Sequence, residues 1–421
     1  MGRNMTQKIL DAKAGRAVAT GEVCFFPVDT VMTHDVGTSG VSPLLEKFGT
    51  TRLAPGVENV IVLDHFVPAT TLTHARSHQL AREYAKKWGV DAFYEVGRGG
   101  ICHQVLLEEG HARSGCLLAA TDAHVTTYGG VGCLGLGVGV TDIAMICHSG
   151  TMWIKVPEVI GIELTGSLDN AAAKDLAIHI LALIPFDLLN YRVVEFFGPG
   201  VASLSMDDRF CLCNMLSEGG VKSCLVAGDD TTRQYMEEHA GGRGTIITPD
   251  PDAEFAHRYT IDMSAIVPMV ALPHHPTKGE PAVNAEGITV NQAFLGSCTN
   301  GRIEDLRVGA AIIRGKKIHP DVRFIVTPAS QTVYLQAMEE GLIKDFIEAG
   351  AMVTNPSCGA CIGASSLLAP GEVCIATSNR NFRGRMGSID AFVYLASPAT
   401  VAFSALAGEI RSTGPQGERG E

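Results

Sequence analysis

The chain has 421 residues, 46% of them hydrophobic, and a formal net charge of −12, which allows roughly two to four domains with sizeable cores. That acidic balance argues against broad nucleic-acid binding, which needs basic surface to displace counterions. No apolar run reaches the length of a membrane span, and Met1-Gly-Arg-Asn-Met-Thr-Gln-Lys8 lacks the apolar core of a signal peptide. Twelve cysteines are too dilute for a disulfide scaffold, and Cys102, Cys116, Cys133 and Cys147 read as small buried hydrophobes. The usage fits a reducing cytoplasm.

In chain order, a polar helix-like segment leads into a strand over residues 23–32, followed by His34-Asp35. Residues 60–63 read as a short buried strand with Asp64-His65 at its end. An adjacent carboxylate can fix a histidine's tautomer and raise its pKa, as a proton donor needs, although a satisfied core histidine looks the same. Helical periodicity covers residues 74–87, and strands are expected over 92–96 and 116–120, the latter running into Thr121-Asp-Ala-His-Val125. Ile101-Cys-His-Gln104 lies between them. His or Asp-His thus recurs after apolar runs, and strand ends collect functional groups at one edge of a sheet. Gly130-Val-Gly-Cys-Leu-Gly135 formally matches a dinucleotide fingerprint, but it follows a polar loop and has no acidic partner about twenty residues on. Close packing through small residues is the simpler account.

A second α/β unit begins near 158, with a strand over 156–164 and a helix over 170–184 capped by Asp169 or Asn170. Asn214 and Glu218 share one face if their segment is helical. Residues 231–257 are polar, and 272–281 form a Pro-rich connector whose His274 and His275 read as loop residues. Beyond it strands and helices alternate over 288–295, 300–314, 323–326, 331–348, 351–354 and 373–376, the first helix capped by Thr299 or Asn300. That βα repeat predicts a parallel sheet covered on both faces. Residues 412–421 are polar and expected to be disordered.

Three cysteines stand where such strands end: Cys298 in Leu295-Gly-Ser-Cys-Thr-Asn-Gly-Arg302, and Cys358 and Cys361 in Asn355-Pro-Ser-Cys-Gly-Ala-Cys-Ile-Gly363. A lone CxxC also fits a redox pair or half a zinc site, but no second CxxC or paired histidines lie at zinc spacing. Three thiolates can hold three irons of a cubane and leave one iron open as a Lewis acid. After the last strand, Ser378-Asn-Arg-Asn-Phe-Arg-Gly-Arg385 brings guanidinium groups, the planar partners of carboxylates.

Together these three motifs resemble the aconitase superfamily, and more narrowly the large subunits of two-chain dehydratases of the 3-isopropylmalate dehydratase and homoaconitase type. The resemblance runs from about His34 to about Ala407. It implies an α/β protein of three α/β/α subdomains, at 1–157, 158–257 and 258–421, with mainly parallel sheets around a [4Fe-4S] site. It implies Cys298, Cys358 and Cys361 as cluster ligands, with Asn214 and Asn379 beside them. Asp64 and His65 match the pair that protonates the leaving hydroxyl, and His103, Asp122, His124 and Glu218 match active-site positions, Glu218 orienting His103. Arg380 and Arg385 match carboxylate-binding positions. Two departures stand out: His34, at a position the resemblance places near substrate and so a candidate substrate-binding residue, replaces the glutamine of aconitases, and Ala123 replaces a serine between the Asp and His.

The function implied is a hydro-lyase acting on a 2-hydroxy di- or tricarboxylic acid, most closely of the 3-isopropylmalate type, as in leucine biosynthesis. Homoaconitase and 2,3-dimethylmalate or citramalate dehydratase types share the framework. The base in aconitases is a serine on a separate swivelling domain, so a small swivel-domain subunit is expected as partner. An RNA-binding regulator in the cluster-free state is the non-enzyme alternative, disfavoured by the acidic charge.

Overall fold

The computed structural model describes residues 2–90 and 92–413. Its strands form three mainly parallel sheets that follow one another along the chain, with a two-stranded ribbon beside the first. The first sheet is all parallel, in spatial order Ala92–Tyr94, Glu58–Val62, Thr30–His34, Leu117–Ala120 and Leu134–Gly137. The chain winds outward from Thr30–His34 on one side and then restarts at Leu117–Ala120 on the other. The strand order therefore reverses between these two, and in open α/β sheets ligands bind outside the carboxyl ends at that reversal. His34, Asp64-His65 and Asp122 sit at those ends.

The second sheet is also parallel, in order Ser223–Val226, Val193–Phe197, Val159–Thr165 and His257–Asp262. Its last strand crosses the boundary drawn at residue 257. Buried Glu195 on its Val193–Phe197 strand accepts from the backbone N–H groups of Met5 at 2.9 Å and Thr6 at 2.7 Å. The N-terminus of helix Met5–Ala14 is thereby fixed to this sheet by a carboxylate, the favoured charge at that helix end.

The third sheet has seven strands, Gly279–Pro281, Met269–Ala271, Phe392–Ala396, Val373–Ala376, Gln292–Leu295, Arg323–Val326 and Met352–Val353, with an antiparallel edge formed by the first two. Here the order reverses between Gln292–Leu295 and Val373–Ala376. Cys298 follows the one and Asn379-Arg380 the other, so a second reversal supplies the thiol side of the site. Buried apolar residues cover both faces of the first and third sheets, and one core runs unbroken from Ile160 and Leu164 to Phe294 and Leu395.

Several local expectations shift. Residues 23–32 are two strands: Val23–Pro27 pairs antiparallel with Thr151–Lys155, while Thr30–His34 enters the first sheet, because Pro27 has no N–H to continue a ladder. The helix expected over 331–348 is two, Gln331–Glu339 and Leu342–Ala349, parted at Gly341, whose φ of 77° breaks helical geometry. The helix placed at 170–184 is Ala173–Leu183, begun by Asp175 accepting from the Ala172 N–H at 2.8 Å rather than by Asp169 or Asn170. Likewise Asp305, not Thr299 or Asn300, accepts from the Arg302 N–H at 3.0 Å to begin Ile303–Ile313. His274 and His275 are half-buried against Phe392 and Phe382. The polar tail from 414 lies outside the described residues.

The glycine-rich stretch packs as its small residues suggest. A Cβ on Gly129 would stand 1.7 Å from the Cys224 carbonyl oxygen, so the short helical segment Ala123–Val131 lies against strand Ser223–Val226 as only glycine permits. No helix among the described residues is long and apolar enough to cross a membrane.

Candidate active site

The carboxyl ends of the first and third sheets face each other across a cavity of about 80 Å³. Its lining includes Asp64, His65, Cys102, His103, Asp122 and His124 from the first sheet, and Cys298, Cys358, Cys361, Asn379, Arg380 and Arg385 from the third. Apart from Asn214, Glu218 and His34, which stand just behind the wall, the lining gathers the residues singled out in the sequence.

On the first-sheet side every carboxylate has an imidazole partner. His65 donates through Nδ1 to Asp64 Oδ1 at 2.6 Å, and its Nε2 faces Asp122 Oδ2 at 3.4 Å. Asp35 holds this loop by accepting from the backbone N–H groups of His65 at 3.0 Å and Phe66 at 2.8 Å. Burial alone disfavours an ionised Asp64, but the His65 imidazolium outweighs it and brings the carboxyl down to about 2. Burial likewise opposes charge on His65, yet Asp64 and Asp122 raise its pKa well above the ordinary imidazole value. Asp122 also takes a hydrogen bond from His103 Nε2 at 2.8 Å and one from the His124 backbone N–H at 2.7 Å. These histidines overcome its burial and hold it well below the carboxylate range. Tyr128 donates its hydroxyl to His103 Nδ1 at 3.1 Å.

His34 is the exception among the histidines. It stacks on His65 with ring centroids 4.1 Å apart, and burial, then the facing charge of His65, push its pKa down. A neutral ring suits its neighbours, with Nε2 donating to Thr121 O at 3.2 Å and Nδ1 accepting from Val36 N–H at 3.2 Å.

The expected pairing of His103 with Glu218 is corrected by the geometry. Glu218, in the turn after helix Met206–Leu216, accepts from His124 Nε2 at 2.7 Å and from Arg380 Nε at 2.8 Å. His103 belongs instead to Asp122, because it stands on the first-sheet side while Glu218 projects between His124 and Arg380. Burial works against Glu218's charge, but both partners outweigh it and lower its pKa.

On the third-sheet side, donors converge on sulfur. Asn214 and Asn379 each point an amide N–H at Cys298 Sγ, at 3.1 and 3.2 Å. Ser297 just before it has φ of 80°, a left-handed conformation costing a non-glycine residue about 1–3 kcal/mol, and this turn is tied down by Thr377 Oγ1 bonding Gly296 N–H at 2.8 Å. Arg302, buried and missed in the sequence, donates to Cys298 O at 2.9 Å and Thr299 O at 2.7 Å. Burial, with Cys361 and Asp122, pushes the Cys298 thiol up to about 12. Cys361 goes the other way, to about 5, because the Cys358 thiol donates to it and Arg385 stands beside it. Arg385 Nε is buried without a partner among the described residues.

This donor set fits a soft metal group: three cysteines on one cavity wall, amide donors aimed at sulfur, and a guanidinium with capacity to spare. Ligand atoms of His103, His124 and Cys298 also come within 4.8 Å of one another. Cys102 is a fourth cysteine in the cavity, but burial and the carboxylates of Asp64 and Asp122 raise its pKa well above the usual thiol range.

A family profile described as the Aconitase family (aconitate hydratase) matches residues 7–284 and 277–408. The chain belongs to the aconitase family. It is 41% identical over 417 residues to 3-isopropylmalate dehydratase large subunit 1 of Methanopyrus kandleri, covering 99% of this chain and 100% of that one. It is 43% identical to a probable methanogen homoaconitase large subunit of Methanothermobacter thermautotrophicus, over 99% of this chain and 98% of the other. The 3-isopropylmalate dehydratase large subunit of Clostridium botulinum is 42% identical over 97% of this chain and 99% of its own. At 12% identity, the crystal structure of aconitase X from Thermococcus kodakaraensis shares the fold of this aconitase-family chain, with a TM-score of 0.52 over 92% of it and 93% of the other chain.

Proposed function

We propose that the chain is the large subunit of a two-chain, iron-sulfur-dependent hydro-lyase acting on a 2-hydroxy di- or tricarboxylic acid of the 3-isopropylmalate type. The observation that carries this reading is a single cavity in which three cysteines, a buried His-Asp proton donor and two arginines converge. The names of the relatives support a dehydratase, and the relative named homoaconitase supports homocitrate-type acids as the second reading.

Cys298, Cys358 and Cys361 would hold a [4Fe-4S] cluster, with Asn214 and Asn379 donating to the Cys298 sulfur. When bound, such a cluster supplies a Lewis-acidic iron for hydroxyl and carboxylate oxygens. His65 keeps its proton at neutral pH because Asp64 holds Nδ1 and Asp122 faces Nε2, so it can protonate a leaving hydroxyl. Arg380, oriented by Glu218, and Arg385, whose Nε has no partner among the described residues, present forks to substrate carboxylates. His34, neutral and stacked, fixes the His65 ring rather than donating to substrate.

Removing the carbon-bound proton calls for a base, which a serine from a small swivel-domain subunit would supply; the relatives' designation as large subunits supports such a partner. The test is oxygen-free purification with iron and sulfide analysis, then dehydration assays on 3-isopropylmalate and homocitrate with and without a candidate small subunit. Iron near four per chain and turnover only with both chains is expected, as about four irons make one cubane. Absence of iron, or full turnover by this chain alone, sinks the reading.

A further inference from the structure

Outside the imidazole-carboxylate pairs, Lys174 is the buried charge the chemistry above leaves unused. Its residue exposure is 0%, and it stands on helix Ala173–Leu183, which flanks the second sheet. Nζ donates to Thr377 O at 2.7 Å and to Ser378 O at 2.6 Å. Those two residues close strand Val373–Ala376 and lead directly into Asn379 and Arg380. The lysine therefore ties the second sheet's layer to the loop that points one amide at Cys298 Sγ and one guanidinium at Glu218.

Its charge lacks an obvious partner. Among the described residues no carboxylate bonds Nζ. The next residue, Asp175, is turned to the backbone N–H groups of Ala172 and Met269, both at 2.8 Å. Burial lowers the lysine's pKa to about 8, and the groups that work to keep it charged are, in order, Cys211, Cys361, Cys298 and Asp305. Asp305 is occupied by Arg302 N–H and Asn300. Cys361 already faces Arg385. A buried ammonium is costly unless a negative charge answers it, and Cys361 and Cys298 of the cysteine wall are among the groups that do so here.

We propose that Lys174 is a positioning residue and fixed counter-charge for the metal group held by Cys298, Cys358 and Cys361. It pins Thr377 and Ser378 so that Asn379 reaches sulfur, and it balances the negative charge the thiolates carry once metal binding displaces their protons to solvent. The inference rests on the cluster reading above.

The test compares full-length wild type, Lys174→Met and Lys174→Gln, each reconstituted without oxygen using iron and sulfide. The Gln variant keeps one donor for Thr377 O and serves where the Met variant does not fold. In the neutral variants, cluster absorption bleaches under a chelator about tenfold faster or more. Their midpoint potential moves to more negative values, because a positive charge no longer favours the reduced group. Their metal-free thermal midpoint falls less than that of the loaded protein. Lys174→Arg, which restores charge, returns the potential toward wild type. Neutral variants with wild-type potential and retention overturn the proposal. Equal losses of metal-free and loaded stability at unchanged potential reduce Lys174 to a strut and overturn it too. Wild type that takes up no iron sinks the cluster reading itself, a different result from wild type that loads and variants that match it.

Discussion

The two rims of the cavity are built on opposite electrostatic plans. At the first sheet each carboxylate is answered on the spot, Asp64 by His65, and Asp122 by His103 and His124. At the third, donors outnumber acceptors: Asn214 and Asn379 aim at one sulfur, Arg385 stands beside Cys361, and the buried Lys174 meets main-chain carbonyls rather than a carboxylate. The first rim is complete as it stands and suits proton handling. The second has its charges balanced only when its thiols become thiolates, and so suits an anionic metal group.

The largest effect that would break this contrast is the loss of a sulfur. Cys298→Ser should abolish iron retention and take dehydration, assayed with the partner subunit, to background, while far-ultraviolet circular dichroism stays that of wild type. Undiminished turnover would remove the third rim from the chemistry altogether. Next in size is His65→Gln, expected to cost about 10²- to 10⁴-fold in kcat with iron content and visible absorption unchanged. If iron falls with it, the rims are not separate devices.

A pH profile sharpens the comparison. His65 is raised by Asp64 and Asp122, so it is protonated below its elevated value and loses its proton, and the activity, as pH rises through that value. Asp64 sits at about 2, so its charge disappears only in strong acid. The profile of kcat/KM should therefore hold through neutrality and fall on an alkaline limb. Asp64→Asn removes the charge that raises His65, and the limb must move to lower pH. A limb that stays put assigns the titration to another group.

Much of this was legible in the sequence, unevenly. Strand Val373–Ala376 and the cysteine positions follow from apolar runs ending at Gly, Ser and Cys, and resemblance supplied the roles. Glu218's true partner was not legible, because His124 lies 94 residues away and helical spacing says nothing about which distant ring a carboxylate meets. Lys174, in Ala171-Ala-Ala-Lys-Asp-Leu-Ala177, reads as an ordinary first-turn polar residue. What turns it inward is the pair of Thr377 and Ser378 carbonyls, some two hundred residues on. Arg302 stands in the same motif as Cys298, whose carbonyl it meets, yet its inward turn also depends on Gln104 from a segment 198 residues away. The break at Gly341 was readable, since a glycine inside a helical pattern lowers its propensity.

The smallest expected effect concerns the seam between the rims. Asp35, wholly buried, accepts from the N–H groups of His65 and Phe66 and, at 3.3 Å, Asp64. The carbonyl of Asp64 in turn receives the Cys358 N–H at 2.9 Å, so one backbone bond joins the proton-handling loop to a cysteine. Asp35→Asn keeps the shape but turns an acceptor into a donor against an N–H group. It should cost about 1–3 kcal/mol in the denaturant unfolding of the metal-free chain, with iron uptake on reconstitution near wild type. Because the Cys358 bond comes from the Asp64 main chain and not from Asp35, iron uptake should survive where loop stability does not. A variant that unfolds like wild type yet fails to load iron would show that the loop positions the cysteine, and the two rims would then be a single unit.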